Sequence, residues 1–157
     1  MILGVTMIAL GFVGMELASW AIHRYLMHGP LWFIHQTHHA PGRPPRWEWN
    51  DVFTLFFGGV AVVLIVLGSG TWDARFWLGV GIALYGTVYF VVHDLFIHRR
   101  LPKWAWRSEN PYLRRLYRGH QMHHQSRERL PSRAYGLLWV RNTVFEENKI
   151  LTEKEKP

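Results

Sequence analysis

The sequence predicts an all-α integral membrane protein, a transmembrane bundle of three to four helices with a helical cap on one side. Three observations carry that expectation. The apolar residues fall into long blocks almost free of charge, the basic residues avoid one of the turns between blocks, and every histidine falls into one of four short groups near block ends. A chain of 157 residues suits a single domain over 1–157, and the lack of cysteine excludes disulfides, thiolate metal sites and a cysteine nucleophile. The mean hydropathy of −0.04 resembles a soluble protein only because it averages over segregated blocks.

The first block, MILGVTMIALGFVGMELASWAI (residues 1–22), contains one charge, Glu16, and is long enough to cross a bilayer. It has no basic leader, and Glu16 stands where the apolar core of a cleavable signal would be, so a retained helix is expected. A carboxylate in such a helix faces the protein interior. Its role is read first as a structural hydrogen bond and second as part of a site. Residues 52–70 form an uncharged second block, and 76–92, continuing into HDLFIH, a third. The five residues TWDAR between them make the pair a transmembrane hairpin, with Gly58, Gly59, Gly79, Gly81 and Gly86 expected to permit close helix packing. Residues 40–50 read as a proline-rich interfacial loop, 99–112 as interfacial loop with a short helix, and 112–125 as helix. The charged tail after about 141 reads as mobile.

Charge gives the orientation. The formal charge is +7, a value that in a soluble domain points to nucleic acid. Here only Arg75 of the 18 Lys and Arg lies in the turn between blocks two and three; the rest lie in 23–50 or after 98. That distribution puts those segments on the cytoplasmic face of the inner membrane and replaces a nucleic-acid partner with membrane lipid. The nine Trp suit interfacial anchoring.

The ten histidines form two pairs, His23/His28 and His93/His98, and two triplets, His35/His38/His39 and His120/His123/His124. Offsets of three and four return to one face of a helix, so each triplet presents its rings together. Pairs five apart stand roughly 140° apart on a regular helix. They serve one ion through a local π-bulge, or two ions on neighbouring sides. Imidazole suits Fe, Zn, Cu and Ni, and ten rings exceed the four ligands of a tetrahedral zinc but suffice for two ions of higher coordination. All four groups lie at or beyond the cytoplasmic end of an expected crossing, so the cap is expected to carry a histidine-rich dimetal site. A metalloprotease helix is excluded, because no group contains His-Glu-x-x-His.

The His-x4-His and His-x-x-His-His motifs on an apolar chain resemble the fatty acid hydroxylase and sterol desaturase superfamily of membrane di-iron enzymes. The stretches HRYLMHG, HQTHHAP, WNDVF, YGTVYFVVHD, IHRR and NPYLRRLYRGHQMHH are similar, more narrowly, to bacterial-type β-carotene hydroxylases. The likeness runs from about Glu16 to Tyr135. It implies O2-dependent hydroxylation of β-ionone rings at the 3-position, giving β-cryptoxanthin and then zeaxanthin. It further implies two non-haem irons on the histidines, replaceable by zinc on purification, and a ferredoxin-type electron donor. An unactivated C–H bond lies beyond ordinary acid–base groups, so the hard chemistry belongs to metal and O2. The carotenoid would enter laterally from the bilayer.

Beyond the rings, Asp94, Asp51, Glu109 and Glu16 are candidates to orient imidazoles through their second nitrogen. A cap or surface role is preferred for all but Asp94, which adjoins His93. Arg114, Arg115 and Arg118 offer a docking patch for an acidic electron carrier, against anionic lipid binding. The alternatives are a related fatty acyl or sterol hydroxylase or desaturase and, in a different class, a membrane carrier of haem or metal.

Overall fold

The computed structural model describes residues 1–40, 47–125, 129, 134–142 and 145. Most of the proline-rich loop (41–46) and the charged tail beyond 145 lie outside them. Every described element is helical. Helix α1 (Ile2–Ala21) runs on into a π-helical segment (Ile22–Met27), followed by the short α2 (Trp32–His35). Helix α3 (Asp51–Gly68) and α4 (Ala74–Tyr89) form the hairpin, and α4 likewise continues into a π-helical segment (Phe90–Ile97). A single 3-10 turn (Pro102–Trp104) leads to α5 (Pro111–Gln125). Three helical stretches, Ile2–Met27, Asp51–Gly68 and Ala74–Ile97, are long and apolar enough to cross a membrane.

Two contacts fix the bundle. Glycines of α3 and α4 bring the hairpin together antiparallel: a Cβ on Gly79 would lie 2.8 Å from the Ala61 carbonyl oxygen. Helix α1 packs against α4 in parallel, Gly4 against Trp77, Gly11 against Leu78 and Phe12 edge-on to Tyr85. A Cβ on Gly11 would come within 2.6 Å of the Leu78 carbonyl oxygen, so only glycine allows this approach. Gly58, Gly59 and Gly86, expected to pack helices, have no neighbour within 4 Å; Gly11 and Gly68 take that role instead. Glycine content alone does not tell which helix face meets a partner. The turn is closed by Asp73, whose carboxylate caps α4 by accepting from the Arg75 backbone N–H at 2.9 Å.

Parallel pairing has a consequence. The C-terminal ends of α1 and α4, and hence both π segments, arrive at the same end of the bundle. There they meet α2, α5 and the irregular segment 134–140, which is bonded to both α1 and α5. The apolar core of this cap is Val92, Phe96, Ile97, Leu116, Leu137 and Val140. Each such side chain contributes about 1.5–3 kcal/mol when removed from water. The spans themselves turn large apolar residues outward, among them Leu55, Phe56, Val62 and Val66. Among the described residues the buried polar side chains are, with Asp94, all histidines: His28, His35, His38, His39, His93, His120 and His123. A polar interior with an apolar exterior is what a bilayer solvent demands.

Candidate metal centre

The two π segments decide how the histidine pairs act. A π-helix bonds residue i+5 to residue i. The His28 N–H donates to the His23 carbonyl at 3.0 Å, and the His98 N–H to the His93 carbonyl at 2.9 Å. Spacing by five, which separates rings on an α-helix, here brings them side by side. Their ring centroids lie 5.2 Å apart in the first pair and 4.5 Å in the second. Of the two readings open for the pairs, the π-bulge is realised.

Ring nitrogens then gather into two groups, each within 4.8 Å. One contains His23, His28, His35, His39 and His123; the other contains His38, His93, His98 and His120. His124 stands beside the second group, its ring 4.5 Å from His120 and 4.7 Å from His38. The triplets do not act as units. From His35/His38/His39 the outer two rings go to the first group and the middle one crosses to the second. From His120/His123/His124 the outer two face the second group and His123 crosses to the first. The first group thus takes one pair, the i and i+4 rings of one triplet and the i+3 ring of the other; the second takes the other pair, His38 and His120, with His124 alongside and also 4.5 Å from His39. The pattern occurs twice because each triplet divides its rings between two adjacent groups.

Hydrogen bonding tests whether a metal ion fits. The Nδ1 of His23 donates to the Tyr135 carbonyl at 2.8 Å, and that of His35 to Asn50 Oδ1 at 2.7 Å. These oxygens only accept, so each Nδ1 carries the proton and each neutral ring presents a bare lone pair at Nε2. Those two Nε2 atoms face each other at 3.0 Å. His28, with its Nδ1 on the Arg129 carbonyl at 2.9 Å, likewise turns Nε2 to His123 Nε2 at 3.2 Å. Lone pairs at such distances repel unless a cation lies between them. Two metal–nitrogen bonds of about 2.1 Å at a right angle would separate their nitrogens by about 3 Å. In the second group the His38 Nδ1 meets Glu48, and its Nε2 is buried with no partner, as is the Nε2 of His124. The donor set and its spacing fit a metal ion in each group.

Burial, ahead of repulsion from neighbouring rings, holds His38, His98, His120 and His123 well below the ordinary histidine value. It pushes His35 and His124 down to about 2. These rings are therefore neutral at physiological pH, the form that binds metal.

The second group is backed by carboxylates. His93 Nδ1 donates to Asp94 Oδ1 at 3.1 Å, and His38 Nδ1 to Glu48 Oε2 at 3.0 Å. Both carboxylates lie against Arg100, which also grips Asp51 through two bonds of 2.7 Å. Burial lifts the Glu48 carboxyl to about 7, against the pull of Arg100 and with Asp51 and Asp94 adding to the lift. A cation on His38 is the charge that would favour its ionised form. Asp51 therefore reaches no ring directly; it holds Arg100 and caps the loop by accepting from the Glu48 N–H at 2.9 Å.

The other expected residues are placed as follows. Glu16 bonds Tyr85 and the segment 138–139, with no ring among its partners. Glu109 pairs with Arg114 at the surface. Arg115 grips the Val140 carbonyl, while Arg114 and Arg118 are exposed. The sequence reading missed Glu48, Asn50, Arg100 and the Tyr135 and Arg129 carbonyls. The adjacent WEWND and HRR stretches were the available signal for the first three.

A cleft opens beside both groups, lined by His23, His35, His38, His93 and His120 and walled by Ser19, Met27, Tyr89, Tyr135, Gly136 and Leu137. Its wall comes from α1 and the π-helical segment that follows it, from α4 and from the 134–140 segment.

The fatty acid hydroxylase family model matches residues 8–145. The chain belongs to this family. It is 39% identical over 142 residues to a beta-carotene hydroxylase of Pseudescherichia vulneris, covering 90% of this chain and 79% of that one. Identity to the beta-carotene hydroxylase of Pantoea ananas is 39% over 129 residues, 82% of this chain and 72% of the relative. The chloroplastic beta-carotene 3-hydroxylase 1 of Arabidopsis thaliana is 41% identical over 117 residues, 71% of this chain and 37% of that longer protein. No solved structure matches the chain. All ten histidines, from His23 to His124, lie within the matched residues.

Proposed function

We propose that the chain hydroxylates the β-ionone rings of β-carotene at the 3-position, forming β-cryptoxanthin and then zeaxanthin. The observation that carries this reading is the pair of converging imidazole groups in a chain 39% identical over 90% of its length to a beta-carotene hydroxylase. One oxygen atom of O2 enters the C–H bond as hydroxyl and the other leaves as water, with two electrons delivered one at a time by a ferredoxin-type carrier and two protons taken from solvent. Two non-haem irons, when bound, supply the O2 chemistry. His23, His28, His35, His39 and His123 would hold one ion, and His38, His93, His98 and His120, with His124 alongside, the other.

The remaining residues orient and enclose. Asp94 and Glu48 keep Nδ1 of His93 and His38 protonated, leaving Nε2 as donor to metal. Met27, Tyr89 and Leu137 give the cleft a partly apolar wall, suited to a hydrocarbon that arrives from the bilayer. The single basic residue in the 69–75 turn favours placing the histidine end on the cytoplasmic side of the inner membrane. Haem uses one or two axial rings; convergence of five and four nitrogens supports separate metal ions instead.

Expression in a β-carotene-accumulating bacterial host tests the reading. Zeaxanthin with some β-cryptoxanthin is the expected product. Unchanged β-carotene alongside newly hydroxylated or desaturated lipid would transfer the site to a different substrate. Purified protein should carry two metal ions per chain, with zinc replacing iron in part.

A further inference from the structure

A carboxylate inside a membrane span needs a purpose, and Glu16 has no metal-bound ring to orient. Its partners lie far away in sequence. Oε2 accepts from the Tyr85 hydroxyl at 2.9 Å, and Oε1 from the backbone N–H groups of Leu138 at 2.9 Å and Trp139 at 3.2 Å. Gly136 lies so close that a Cβ there would sit 2.8 Å from the Trp139 carbonyl oxygen and 3.4 Å from Glu16 Oε1. The segment that Glu16 catches is the one whose Tyr135 carbonyl accepts from His23 Nδ1. Two further anchors, Tyr112 on the Leu138 carbonyl at 2.8 Å and Arg115 on that of Val140, hold the segment from the α5 side. Glu16 is the anchor on the membrane side.

We infer that Glu16 is a positioning residue of the first histidine group. By holding 138–139 it places the Tyr135 carbonyl, which fixes the tautomer and rotation of the His23 ring. It thereby sets metal affinity at His23, His28, His35, His39 and His123 and leaves the second group untouched. A carboxylate bonded by three donors on two separate elements is a directional tie. The same segment walls the cleft through Tyr135, Gly136 and Leu137, so this tie also fixes that wall. The inference rests on the dimetal reading above.

Zinc titration of the chelator-stripped full chain in detergent, by competition with a chromophoric chelator, separates the two. Wild type should take up two equivalents. Glu16→Leu should bind one equivalent with wild-type affinity and the other about tenfold or more weakly, the loss typical of an outer partner of a metal-bound histidine. Glu16→Gln, which still offers an oxygen to the 138–139 N–H groups and an amide N–H to Tyr85, should recover most of that affinity. Combining Glu16→Leu with His23→Ala should weaken binding no further than His23→Ala alone. Should Glu16→Leu fail to accumulate, Gly136→Ala crowds the same segment from its own side and should weaken the same single equivalent. Two wild-type affinities in Glu16→Leu or in Gly136→Ala would overturn the inference, as would equal weakening of both equivalents. No zinc uptake by wild type would instead sink the dimetal reading itself.

Discussion

The two histidine groups have the same ring plan and different supports. In the first, His23, His28 and His35 donate to uncharged oxygens, two of them main-chain carbonyls near the carboxyl end of the described chain. In the second, His38 and His93 donate to carboxylates gathered around Arg100. A carbonyl orients a ring only as well as the segment carrying it is held. A carboxylate also raises the basicity of the ring, but it must be stabilised while no cation is bound. The first centre therefore depends on tertiary docking of 129 and 134–140, and the second on an ion network local to 48–51 and 93–100. Similar rings can be aimed by two unrelated means, and each has its own point of failure.

The largest effect should come from the rings themselves. His35→Ala and His38→Ala should each lower hydroxylation by more than about 100-fold, beyond the loss expected for an outer partner. Each should remove one of two metal ions and leave the helices inserted, as read by metal analysis and circular dichroism. If either variant lost both ions, the centres would be a single cooperative unit and the comparison would fail.

The next effect concerns the supports. Glu48→Gln should weaken one zinc equivalent about 10- to 100-fold and spare the other. In metal-free protein the same substitution should act in the opposite direction. The folded-state value of Glu48 is raised to about 7 from 4.5. Its contribution is thus fully present below 4.5 and is lost as pH rises through 7. Replacing it with a neutral amide should raise the melting temperature of chelator-treated protein at pH 8, with little change at pH 4.5. A lower melting temperature at pH 8 would show that Arg100 fully compensates the charge.

Acid should affect both groups alike. His35, His38, His98, His120, His123 and His124 are depressed below 6.5 in the fold. Their neutral packing supports the fold fully above 6.5 and progressively less as pH falls below it. Each ring contributes a slope of up to about 1.4 kcal/mol per pH unit. Metal-free protein should melt at lower temperature from pH 7 to pH 5, and saturating zinc should move that loss to lower pH. A flat profile without metal would mean that the rings are hydrated.

These supports also mark where sequence reading stops. The spans were legible because uncharged runs of that length have one stable setting in lipid, and the metal centre because every histidine recurs in a patterned group. That the pairs lie on π-helix could be posed from a spacing of five, but the choice needed the parallel approach of α1 and α4. The exchange of His38 and His123 between groups is invisible in the triplets, because offsets of three and four share a helix face and only a second facing centre divides them. Carbonyl acceptors such as that of Tyr135 carry no residue signature at all. Arg115 was grouped with Arg114 and Arg118 by adjacency, yet the turn of α5 sends it inward to Val140.

That division yields the smallest expected effect and sharpens the contrast between supports and surface. Arg115→Gln removes a bond to the 134–140 segment, so it should weaken the first centre modestly, by less than Glu16→Leu, and leave the second alone. Arg114 and Arg118 are exposed, and the Arg114–Glu109 pair contributes at most about 1 kcal/mol. Neutralising both should leave two zinc affinities and the melting temperature unchanged. If this face receives an acidic electron carrier, the double variant should raise the carrier concentration needed for half-maximal turnover severalfold at low salt, and the difference should vanish as the Debye length shrinks to about 3 Å near 1 M salt. The same half-saturation at every salt concentration would leave those arginines to the membrane surface and confine the functional role of α5 to its inward face.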